Sequence, residues 1–136
     1  MSWKAALTGL FLGMVLVLVF GCGPEPAPDT LSKQPSDIPV PKDFYFKEDG
    51  SSYSPLPSKR EGKLLYEGRP GIDAAAEFYK RVLVVYKWKE ISDDKVTRDK
   101  RVLTFRKGRE TLGITLWRRG WITNAELILD TAPMEK

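Results

Sequence analysis

The chain predicts an α+β fold: an antiparallel sheet of about four to six strands with one helix packed on one face, in β-β-α-β-β-β order. Two observations predict it. From residue 62 on, most segments place apolar residues at every second position, the mark of a strand with one buried face. One segment alone spaces them by three and four, and a single helix beside several strands buries both apolar faces when it lies across the sheet.

In chain order, Phe44-Tyr45-Phe46 is a short strand candidate, and residues 50–57, rich in Gly, Ser and Pro, read as loop with Tyr53 on a brief edge strand. Residues 62–67 suit a strand with Leu64 and Tyr66 inward, and Arg69-Pro70-Gly71 turns the chain. Asp73 is placed to cap a helix that runs to about Val85, with Ala75, Ala76, Tyr79, Val82, Leu83 and Tyr86 on its buried face. Trp88 to Ile91 begins another strand, which Asp93-Asp94-Lys95 ends as a solvated turn. Residues 101–107 and 112–118 form a hairpin. Pairing them across residues 108–111 sets Phe105 opposite Ile114 and Leu103 opposite Leu116, with Val102, Thr104, Arg106, Thr115 and Trp117 on the other face. After Arg119-Gly120-Trp121 the chain returns through residues 122–130, with Ala125, Leu127 and Leu129 continuing the core.

The chain of 136 residues has room for one such domain, assigned to residues 42–136. The segment ahead of it differs in kind. Met1 to Lys4 carries one positive charge, and Ala5 to Phe20 is free of charge and largely apolar, slightly short of the roughly 20 residues that span a bilayer. It stops at Gly21-Cys22-Gly23-Pro24 without a basic cluster. Residues 1–21 therefore read as a lipoprotein signal peptide, and Val19-Phe20-Gly21-Cys22 resembles the lipobox of bacterial lipoproteins, with Cys22 as the lipidated first residue of the mature chain. In such proteins an aspartate after the cysteine is associated with retention in the inner membrane. Gly23 stands there instead, which implies the outer membrane of a Gram-negative bacterium. Residues 22–41 hold six of the ten prolines among Asp, Glu, Ser and Thr, and read as a tether.

Ile38-Pro39-Val40-Pro41, Gly62-x-Leu64-x-Tyr66-x-Gly68, Phe78-Tyr79, Trp88 and Leu103-x-Phe105-x-Lys107 together resemble a group of small, uncharacterised proteobacterial lipoproteins. The likeness covers roughly residues 39–130. It implies a fold and a location, and its motifs are core and turn residues. A glycine usually stands in that group where this chain has Lys87, so a differently built helix exit is expected here.

There is no histidine, and the one cysteine is Cys22, so a catalytic site would rest on Asp/Glu, Ser/Thr, Tyr or Lys alone. No phosphate loop, nucleophile elbow or metal-ligand spacing is present in the sequence, and neither a cofactor nor a metal is expected. Tyr79, Tyr86 and Trp88 fall at helical or strand spacing and read as core rather than as a ligand pocket. Between Arg98 and Arg119, eight basic residues face only Asp99 and Glu110. That stripe suits an anionic surface, and its candidate contacts are Arg106, Arg118, Arg119, Trp117 and Trp121. The alternative is a solvated edge whose cations discourage pairing with other sheets. The function expected is that of a membrane-anchored, non-catalytic binding or assembly module of the cell envelope. Its partners would be the membrane through the lipid anchor, and an anionic lipid, a cell-wall polymer or an envelope protein. Nucleic acid is not expected for an exported chain. The rival class is an envelope-polymer hydrolase or transferase with a carboxylate-only site.

Overall fold

The computed structural model describes residues 34–56 and 58–134. Strands β1 (Phe44–Leu56) and β2 (Lys59–Gly68) form a hairpin; helix α1 (Ile72–Val82) and a 3-10 turn (Leu83–Tyr86) then carry the chain across the sheet. Strands β3 (Lys89–Thr97), β4 (Lys100–Lys107), β5 (Glu110–Arg119) and β6 (Ile122–Thr131) return as a meander. The spatial order is β1-β2-β6-β5-β4-β3, antiparallel throughout. This is an α+β sheet with one helix. Four strands follow the helix where the expected order had three, and the segment begun at Trp88 to Ile91 is the first of them, running on to Thr97. Asp93-Asp94-Lys95, expected as a turn, lies inside β3, and the reversal falls at Arg98-Asp99 instead.

The inner face is the one the alternation predicted. Leu64 and Tyr66 on β2, Leu103 and Phe105 on β4, Leu112, Ile114 and Leu116 on β5, and Ala125, Leu127 and Leu129 on β6 are all buried. The register of the central hairpin differs by two residues from the expected one: Leu103 faces Ile114 and Phe105 faces Leu112, because Gly108 and Arg109 alone make the loop. A shift of two leaves every side chain on its original face. Residues 50–56, expected as loop, continue β1 after a bulge between Lys47 and Ser52. The Ser51 hydroxyl sits in that bulge, accepting the Leu65 N–H at 2.9 Å. Gly62 is required there, since a Cβ would lie on the Ser52 carbonyl oxygen and 2.8 Å from Tyr53 Cα.

Helix α1 buries Ile72, Ala75, Ala76 and Tyr79 over β4 and β5. Its N-cap is Gly71, with no side-chain cap; Asp73 lies in the first turn and points its carboxylate to Arg101. Tightening into a 3-10 turn, with three residues per turn, rotates Tyr86 off the buried stripe, so it is 38 % exposed rather than core. Lys87 then takes the left-handed conformation, φ 72°, and its N–H caps the Val84 carbonyl at 3.1 Å. The helix exit thus has the geometry a glycine provides, adopted by lysine.

Part of the expected tether belongs to the domain. Ile38 is 2 % exposed within the core, and Pro35 and Pro41 are buried. Residues 34–41 form a strap beside the helix: the Tyr66 hydroxyl donates to Gln34 Oε1 at 3.0 Å, and the Trp88 indole donates to the Asp37 carbonyl at 3.3 Å. The boundary expected at residue 42 therefore moves back at least to residue 34. Cys22 and the signal peptide lie outside the described residues.

Candidate functional site

Two groups of charged side chains sit on the helix side of the sheet, and both are ties between elements. In the first, Arg101 on β4 is 5 % exposed. Its Nε and Nη2 donate to the two oxygens of Asp93 on β3 at 2.8 and 2.6 Å, and its Nη1 donates to Asp73 on α1 at 2.9 Å. Lys80 on α1 reaches Asp93 at 2.9 Å. The Arg101 hydrogen bonds hold the Asp93 carboxyl well below the usual carboxylate range, against burial, with help from Lys80.

In the second, Asp37 on the strap accepts from Arg60 on β2 at 2.7 and 2.9 Å and from Lys107 on β4 at 2.9 Å. Glu110 on β5 accepts from Arg60 Nε at 2.9 Å. Burial works to raise the Asp37 carboxyl, but the hydrogen bonds from Arg60 and Lys107 outweigh it and bring it to about 2. Carboxylates held ionised this firmly are suited to ion pairing; proton transfer near neutral pH calls for the opposite shift.

The candidate contact lies at one end of the sheet, where the β2–α1 loop, the β3–β4 turn and the β5–β6 turn converge. They enclose an open cleft of about 750 Å³ lined by Ile72, Asp73, Arg98, Asp99, Arg118 and Trp121, among others. The Arg118 N–H donates to the Asp99 carbonyl at 3.0 Å and joins the two turns. Gly120, at φ 62°, permits the reversal, and Trp121 projects from it with 85 % of its surface exposed. Arg118 Nε donates to the Gly120 carbonyl at 3.2 Å. Among the described residues, ion pairs engage Lys47, Lys59, Arg60, Lys80, Arg101 and Lys107, whereas Arg98, Arg118 and Arg119 have no carboxylate partner.

The structure divides the basic stripe of the sequence. Arg101 and Lys107 are spent in the ties, and Arg109 donates to the Ala132 carbonyl at 2.9 Å. Trp117, Arg118, Arg119 and Trp121 come together at the sheet end, with Lys100 paired across from Trp117. Arg106 does not join them: it pairs with Thr111, at the other end of β5. Arg98 enters the cleft from the neighbouring turn. Reasoning from the sequence missed the pairing of Asp37 with Arg60, residues 23 apart in the chain. Among the described residues no helix is long and apolar enough to cross a membrane, and no cluster of potential metal ligands occurs. Compared with protein-family models, with curated proteins and with solved structures, the chain matches none.

Proposed function

We propose that the chain is a lipid-anchored, non-catalytic binding or assembly module of the cell envelope, with its contact surface at the sheet end around Trp121. The observation that carries this reading is Trp121 itself, 85 % exposed beside Arg118 and Arg119. A large aromatic side chain left in water, flanked by cations without carboxylate partners, suits a surface that is covered by an anionic partner. Anchoring is assigned to Cys22. Each methylene of the attached acyl chains contributes about 0.8 kcal/mol when buried, so several chains together hold firmly. Gly23 after the cysteine favours the outer membrane of a Gram-negative cell, in keeping with the resemblance to proteobacterial lipoproteins.

Within this cleft the hydrolase or transferase reading has Asp73 and Asp99 to draw on. Asp73 is already engaged by Arg101 at 2.9 Å, which favours the binding module.

Two measurements in cells test the proposal. Labelled fatty acid should mark the wild type, and Cys22→Ala should carry no label. A photocrosslinking residue at position 121 should capture a partner, protein or lipid, while one at Ile128 on the open sheet face should not. Label retained by Cys22→Ala, or equal capture from both positions, would remove the corresponding half of the proposal.

A further inference from the structure

The sheet end that carries Trp121 also holds the start of β1. The pairing of Phe44 with Gly68, of Gly68 with Thr123 and of Thr123 with Arg118 brings the start of β1 to the same level. Tyr45, 68 % exposed, therefore lies level with Trp117 on the open face, three strands away. Lys42 precedes β1 and Arg69 follows β2 at this end, Lys100 pairs across from Trp117, and Arg98, Arg118 and Arg119 lie at the two turns; none has a carboxylate partner among the described residues, while Glu67, between Tyr45 and Trp117 in the same row, is paired with Lys47. Aromatic and basic side chains at one level are the pattern of a protein face that sits in lipid headgroups. The rings occupy the boundary layer, and the cations meet phosphates.

The attachment of the tether separates a bilayer from other anionic partners. On β2, Tyr66, whose hydroxyl holds Gln34, stands two residues from Gly68 at this end and seven from Lys59 at the other. The described chain begins at Gln34, and Asp37, three residues on, is held by Arg60 and Lys107 toward the opposite end. Twelve residues, 22–33, reach at most about 3.6 Å each when fully extended, roughly 43 Å in all. A domain tied that closely stays at high local concentration over the bilayer, so weak headgroup contacts suffice. We infer that the sheet end around Trp121, Arg118 and Arg119 docks on the anionic phospholipid headgroups of the same membrane that holds the lipid anchor. This rests on the anchoring proposed above and adds the identity of the partner.

Bromine quenching of tryptophan fluorescence tests it. The full chain, extracted with its anchor, is reconstituted into vesicles of phosphatidylethanolamine with phosphatidylglycerol, and into vesicles of phosphatidylcholine, each brominated on its acyl chains near the headgroups. In the anionic vesicles the wild type should show a quenched component that Trp121→Phe removes. Raising salt from about 0.1 M to about 1 M shortens the screening length from about 10 Å to about 3 Å and should weaken the quenching. Each of Arg118→Glu and Arg119→Glu should shift the docking equilibrium away from the bilayer by at least about fivefold. Unchanged melting of each variant establishes that it is folded. The inference is overturned if Trp121→Phe and wild type quench alike, or if neutral vesicles quench Trp121 as strongly as anionic ones at every salt concentration. A protein crosslinked from position 121, with no quenching, would also overturn it and would leave the binding module standing. Fatty-acid labelling reads the anchor independently of the tip, so the two failures are separable.

Discussion

Arg60 holds Asp37 through two parallel hydrogen bonds, 2.7 Å from Nη1 to Oδ1 and 2.9 Å from Nη2 to Oδ2. The pair fastens the strap that precedes β1 to β2, and Lys107 on β4 grips the same carboxylate. Asp37 thereby ties three elements.

The Asp37 carboxyl, brought down to about 2 from its ordinary 3.8, sets a pH dependence. A group whose pKa is lower in the folded state stabilises the fold fully above its unfolded pKa, and that stability is lost as pH falls through the folded value. The window is thus from about pH 4 down to about pH 2, and the amount is about 2 kcal/mol. Asp37→Asn should lower stability at neutral pH by that amount and flatten the stability profile across the window. Urea midpoints measured at several pH values check this; parallel profiles for variant and wild type would refute it.

Two adjacent aspartates on β3 should differ sharply. Asp93→Ala leaves the buried Arg101 guanidinium without its two-oxygen partner and should cost about 3 kcal/mol. Asp94, exposed and on the opposite face, should tolerate alanine within about 0.5 kcal/mol. Chemical unfolding of both variants decides the matter.

The Tyr79 hydroxyl is buried without a hydrogen-bond partner among the described residues, and burial pushes its pKa well above the usual phenol range. Tyr79→Phe removes an unsatisfied group and should leave stability unchanged or raise it by up to about 1 kcal/mol. Tyr66→Phe removes the bond to Gln34 and should lower stability by about 1 kcal/mol. Thermal melts compare the pair.

Lys87 adopts φ 72°, where a side chain is strained and glycine is not. Lys87→Gly should stabilise the fold by about 1 kcal/mol, seen as a higher melting temperature. Lys87→Ala, which keeps a Cβ, should bring no such gain.

By itself the sequence determined the inner face of the sheet and the one helix. Alternation on β4, β5 and β6, and the helical spacing of Ala75, Ala76, Tyr79 and Leu83, each state which side chains leave water. It did not decide register, because pairing Leu103 with Ile114 or with Leu116 buries the same residues, and periodicity is blind to a shift of two. It placed the start of β3 at Trp88 to Ile91 but not its run through Asp93-Asp94-Lys95 to Thr97, because an edge strand exposed along most of its length imposes no alternation. The lipobox-like run, the basic stripe and Trp121 are all visible as local runs. Which cations remain unpaired is not. Arg101 and Arg119 look alike in the chain, and only the folded structure places carboxylates around the first and none beside the second. Ion pairs join residues up to 70 apart, and a reading of local pattern carries no information at that separation.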